Sequence, residues 1–290
     1  MNLSAKGFGA QGIRGIYPDD VNEDLAYRVG RVFPALVNAR RVAVGHDIRL
    51  SSPSLQAALV KGLMEAGCDV LDIDLCGTEM VAFATAHYQL DGGIMITAGH
   101  DPQAYNGMAF VRAGGCLAFD ETGLKELSQL VLSGKLAPAA SQPGTVEKED
   151  VTEAYIADIL SHINLDKLKP FRIVANTVNG AAGPVINAIE KKLPFDIVKV
   201  NNIPDGNFPN GGPDPLLPEN REATARAVLE NEADLGIAWS CDFSHCVLFD
   251  EQGQCIEACS MPAEGGMLSW LRVMERLSQS KGKTISELMS

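Results

Sequence analysis

From Arg41 onward the chain alternates short apolar runs with segments of helical periodicity, which restricts it to an α/β architecture with a largely parallel sheet. Val42 to Val44 reads as a buried strand. Ser52 is positioned to cap the helix that follows, with Pro53 at its first position, Leu55, Leu59 and Leu63 on one face, and Gly67 just past its end. A second strand is predicted at Val70 to Leu75. A third, at Ile94 to Ile96, runs directly into the polar loop Thr97-Ala98-Gly99-His100-Asp101-Pro102. Loops after the carboxyl ends of such strands are where α/β domains place their chemistry.

The stretch SGKLAPAASQPGTVEKE (Ser133 to Glu149) loses apolar periodicity and gains Pro, Ser and Gly, so a boundary falls near it and the domains are read as 1–145 and 146–258. The second α/β pattern has strands predicted at Ile173 to Ala175, Ile197 to Val200 and Leu235 to Ala238. A helix enters at Pro218 and runs toward Glu230. Residues 259–290 carry one amphipathic helix around Met267 to Leu277 and another at the C-terminus, too little for a third core.

Charge and cysteine usage narrow the function classes. A net charge of -13 argues against nucleic acid and anionic membranes as partners. No run approaches the roughly 20 apolar residues of a membrane span. The N-terminus lacks the order of a signal peptide, so a cytoplasmic location is expected. Seven cysteines, an odd number, read as reduced thiols. Cys241, His245, Cys246, Cys255 and Cys259 are close in sequence but form no C-x2-C pair, and buried thiols explain them better than zinc.

Five segments in order, FGAQGIRG (Phe8 to Gly15), GHDIRLSS (Gly45 to Ser52), GGIMITAGHDPQAYNGMAFV (Gly92 to Val111), NTVNGAAGP and PDGNFPNGGPDPLLPEN, resemble the α-D-phosphohexomutase superfamily. The resemblance is strongest to its bacterial phosphomannomutases and phosphoglucomutases. It implies two phosphohexomutase-type α/β domains with mixed sheets, then a short C-terminal helical remnant of a third domain (259–290), with the fourth domain absent. Enzymes of this family pass a phosphoryl group from a serine phosphate to a hexose phosphate, with Mg2+ held by three aspartates.

Carried over residue by residue, the resemblance also implies a damaged site. The phosphoserine position is Gly99, which has no side chain to phosphorylate, and its neighbours His100 and Asp101 would misplace the reacting atoms. Arg14 matches the arginine that lines the active site. Arg49, Asp101 and Asn106 are the candidate substrate- or phosphate-binding residues, and Ala109 stands where a lysine is usual. The metal loop reads Ser240-Cys241-Asp242-Phe243-Ser244-His245, so only Asp242 remains as a carboxylate. Ser240 and Ser244 occupy the other ligand positions, and His245 replaces an arginine. The implied protein is a catalytically impaired phosphomannomutase/phosphoglucomutase-like member of hexose-phosphate metabolism, with Mg2+ binding weak or absent. The competing reading is an active phosphomannomutase, converting mannose 6-phosphate to mannose 1-phosphate through another acceptor or a partner chain. Loss of the third domain would uncover an apolar face near Cys255 to Leu271, which Met261, Met267, Leu268, Trp270 and Leu271 cover only in part. A homodimer or a complex through the C-terminal region is therefore expected.

Overall fold

The chain divides into two units, Met1–Val151 and Thr152–Ser290, in a computed structural model that describes residues 7–9, 12–117, 121–256, 265–280 and 282–289. In the first unit the strands are β1 (Phe8–Gly9), β2 (Gly12–Ile16), β3 (Arg41–His46), β4 (Asp69–Leu75), β5 (Gly92–Ile96), β6 (Tyr105–Arg112), β7 (Cys116–Leu117) and β8 (Val146–Lys148). They form one sheet in the order β1-β2-β6-β5-β3-β4-β8, with β7 on β6. The centre, β5-β3-β4, is parallel, whereas β6 runs antiparallel to both β5 and β2, so the sheet is mixed. Helices α1 (Glu23–Val37), α2 (Ser52–Glu65), α3 (Thr78–His87) and α4 (Glu121–Leu132) complete the unit.

The core of this unit is aliphatic. Val42, Val44, Ile94 and Ile96 of the sheet cluster with Leu25, Val29 and Phe33 of α1, Leu55, Leu59 and Leu63 of α2, and Leu127 and Val131 of α4. Asn22 caps α1 by accepting from Leu25 N at 3.0 Å. Helices α1 and α2 cross backbone to backbone: a Cβ at Gly30 would stand 2.2 Å from Leu59 O, and one at Gly62 2.2 Å from Tyr27 O. Only glycine permits that approach.

The second unit has a five-stranded sheet ordered β10-β9-β11-β12-β13, built from β9 (Arg172–Asn176), β10 (Asp196–Val200), β11 (Leu235–Trp239), β12 (Cys246–Phe249) and β13 (Cys255–Ile256). Strands β10, β9 and β11 are parallel, and β12 and β13 add antiparallel. Its helices are α5 (Thr152–Ser161), α6 (Ala182–Ile189), α7 (Pro218–Glu230), α8 (Gly265–Gln279) and α9 (Ile285–Met289).

Three expectations change. The residue before α2 is Ser51, not Ser52; Ser51 makes no side-chain cap bond, and Ser52 opens the helix. The division near the segment 133–149 falls after Val151 and not at 145, because Val146, Glu147 and Lys148 extend the first sheet beside Val70, Leu71 and Asp72. The C-terminal helix turns its apolar side inward. Met267, Trp270, Leu271, Met274 and Leu277 are buried, and Trp270 lies edge-on to Trp239 of β11 at 6.3 Å and against Phe195 at 6.0 Å. Cys259 and Met261 lie outside the described residues.

Candidate functional site

The loop after β5 is built around two buried charges. Asp47, at the end of β3, is fully buried and accepts from Ser52 Oγ (2.6 Å), Thr97 Oγ1 (2.7 Å), Arg49 N (3.0 Å) and Arg49 Nε (3.1 Å). Arg49 is 1% exposed. Its Nη1 donates to the carbonyls of Pro102 (2.7 Å) and Tyr105 (3.0 Å), and its Nη2 to those of Asp101 (2.6 Å) and Gly99 (3.0 Å). A guanidinium has five N–H groups, and all five are engaged. Arg49 therefore staples the loop from beneath and has no donor left for a phosphate, which corrects its reading as a substrate-binding residue.

Asn106 is corrected for the same reason. It is fully buried, its Nδ2 donates to Ser51 Oγ (2.8 Å) and Ser52 Oγ (3.0 Å), and its Oδ1 accepts from Gly107 N (2.8 Å). Asp47, Ser52 and Thr97 were not singled out as site residues. Their signal was their place inside GHDIRLSS and ITAGHD, but a hub of short polar side chains becomes visible only when two loops distant in sequence meet.

What remains open to solvent is small. Gly99 takes a left-handed backbone with φ +57°, its N–H donating to Thr97 Oγ1 at 2.8 Å. Arg14, from β2, lies over it. Its Nη1 donates to the Ala98 carbonyl and pairs with Asp101 Oδ2 at 2.9 Å, the two side chains being 32% and 33% exposed. A Cβ built on Gly99 would stand 3.2 Å from both Nη1 and Nη2 of Arg14. The guanidinium thus occupies the space that a side chain at 99 would need. His100 is half-buried beside it.

The loop after β11 closes on itself in a similar way. Ser240 Oγ and Ser244 Oγ donate to Asp242 Oδ1 at 3.0 and 2.8 Å, and Ser244 Oγ stands 3.0 Å from His245 Nδ1. Since the one Ser244 proton goes to the carboxylate, His245 Nδ1 donates in that last bond. Gly266 of α8 seats against this loop: its carbonyl accepts from Trp239 Nε1 at 3.2 Å, and a Cβ there would come within 2.6 Å of Phe243 O. Asp242 is buried, and no group of three or more His, Cys, Asp or Glu that could hold a metal ion occurs among the described residues. One carboxylate with two hydroxyl protons turned toward it is a donor set poorly matched to Mg2+, which requires anionic and neutral oxygen lone pairs in octahedral array.

The described cysteines are free thiols, and burial pushes that of Cys68 up to about 12. No described helix is long and apolar enough to cross a membrane.

Comparison with known proteins agrees with this architecture. Residues 5–136 match the family model of phosphoglucomutase/phosphomannomutase α/β/α domain I, and residues 153–253 that of domain II. The chain is 46% identical over 256 residues to a phosphomannomutase of Salmonella montevideo, covering 86% of this chain and 56% of that protein. It is 47% identical over 259 residues to a phosphohexose mutase of Xanthomonas campestris, covering 89% and 57%. A crystal structure of a phosphoglucomutase/phosphomannomutase family protein from Burkholderia thailandensis superposes with a TM-score of 0.80 at 30% identity, over 88% of this chain and 56% of that one. The chain thus spans about half the length of the relatives it matches. With both family domains present in order and in fold, the chain belongs to the α-D-phosphohexomutase superfamily.

Proposed function

We propose that this chain is a phosphohexomutase-like protein of hexose-phosphate metabolism whose two units, as they stand, do not transfer phosphoryl groups. The observation that carries the reading is at Gly99. The position has no nucleophile, and a side chain placed there at φ +57° would crowd the Arg14 guanidinium at 3.2 Å. The loop of Ser240, Asp242 and Ser244 supports it, because its hydrogen bonds run inward and it offers Mg2+ a single charge, so binding there is weak or absent.

A hexose phosphate remains the ligand of choice. Of the arginines carried over from the family, Arg14 alone combines partial exposure with N–H groups beyond those it donates to Ala98 and Asp101, so it is the proposed phosphate contact. Free thiols fit a cytoplasmic location. Association through the C-terminal region stays a proposal for sedimentation at micromolar concentration.

The competing reading, an active phosphomannomutase, is favoured by the 44–46% identity to proteins of that name. An assay of mannose 6-phosphate conversion, with a hexose bisphosphate and Mg2+ present, decides between the two. No turnover is expected. Turnover that vanishes on replacing His100 or Asp101 would establish a displaced acceptor and overturn the proposal.

A further inference from the structure

The chain between Ala140 and the second unit returns to the first sheet by a route that buries almost nothing. Residues 141–150 are exposed except for Gly144, and all three side chains of β8 are exposed. Beside the parallel pairing of Val146, Glu147 and Lys148 with β4, backbone bonds anchor it from Ala140 N to Glu65 O (2.8 Å), Gly144 N to Met64 O (2.9 Å), Val70 N to Thr145 O (2.8 Å) and Glu149 N to Asp72 O (3.0 Å). The other attachments are polar. Asp69 Oδ1 accepts from Thr145 N (2.7 Å) and Oγ1 (2.8 Å), Arg41 pairs with Glu147 at 2.8 Å, and Lys148 Nζ stands 3.7 and 3.6 Å from the carboxylates of Asp72 and Asp74. Strand β3, two strands inward, is by contrast buried from Val42 to His46.

Segments with few buried apolar contacts and exposed hydrogen bonds open at a small fraction of the global unfolding free energy. Here the ion pairs are the side-chain lock, and exposed ion pairs weaken with salt. We propose that residues 140–149 form a releasable strap, clasped to the edge of the first sheet by Arg41, Asp69, Asp72 and Asp74, which detaches while both units stay folded. When released, its ten residues add up to about 35 Å of extended chain to the tether leading into α5. Ionic conditions set how often the strap is released.

Hydrogen exchange of the native chain tests this, with amides 146–149 compared against 42–46 of β3. The strap amides are expected to exchange at least about a hundredfold faster than those of β3. They should accelerate a further two- to fivefold, roughly, in about 0.5 M salt or in Lys148→Gln, with β3 unchanged. Exchange at the β3 rate would overturn the proposal by showing one cooperative unit. Fast exchange indifferent to both salt and Lys148→Gln would overturn it by showing that the charges are not the clasp. The salt series uses the unaltered chain, so the result does not depend on a variant folding.

Discussion

Replacing Arg49 by alanine separates a scaffold from a ligand contact. The guanidinium, itself buried, holds the buried Asp47 and four loop carbonyls, of which those of Pro102, Asp101 and Tyr105 are in part-buried bonds. Removing it leaves the buried Asp47 with two hydroxyls and one backbone N–H, and breaking a buried pair in this way costs about 3–5 kcal/mol. Each carbonyl left without a donor adds roughly 1–3 kcal/mol before the loop relaxes and water enters, so about 4 kcal/mol is a conservative sum. Against a typical stability of about 5–15 kcal/mol, that is a large share for one unit. Arg14→Ala loses only a partly exposed pair, about 0–1 kcal/mol. Urea unfolding distinguishes them, and the chain supplies its own control: both tryptophans, Trp239 and Trp270, lie in the second unit. Arg49→Ala should shift the far-ultraviolet circular dichroism transition and leave the tryptophan fluorescence transition in place. Arg14→Ala should leave both in place and abolish phosphate binding measured by calorimetry. If Arg49→Ala costs less than about 1 kcal/mol yet eliminates phosphate binding, the scaffold argument is wrong and the arginine faces ligand.

Gly99→Ser should destabilise by roughly 1–3 kcal/mol, because it places a side chain at φ +57° against Arg14, and intact-mass analysis should find no phosphorylation by a hexose bisphosphate. The double change Ser240→Asp with Ser244→Asp should create Mg2+ binding that calorimetry does not detect in the unaltered chain; micromolar Mg2+ affinity before the change would refute the account of that loop. Burial works to raise the Glu251 carboxyl, but hydrogen bonds from Ser286 and Thr284 together hold it below its ordinary value of about 4.3. A depressed carboxyl stabilises above the unfolded value and loses that contribution as pH falls through the folded one, so α9 should loosen on acidification through the carboxylate range, read in the amide shifts of 284–288. In Glu251→Gln that pH dependence should be gone.

Strand positions, the α7 span and the family were legible because each rests on local pattern: apolar runs, Pro218 at a helix start, and ordered motifs such as NTVNGAAGP. Helix α1 lay outside that reading although Leu25, Val29 and Phe33 form an apolar stripe, and its crossing with α2 depends on Gly30 and Gly62 meeting. That position 99 is a glycine and positions 240 and 244 are serines was likewise plain in the sequence, because the identity of a side chain needs no fold. What a group that is present does was decided by tertiary structure alone. Arg14 and Arg49 are both arginines at retained positions, yet one is half in solvent over Gly99 and the other has every N–H committed beneath the loop. The burial of α8 against Trp239 and the return of β8 to the first sheet were settled in the same way. Sequence specifies which surfaces are apolar and which groups can donate; only the folded chain determines which partners reach them first.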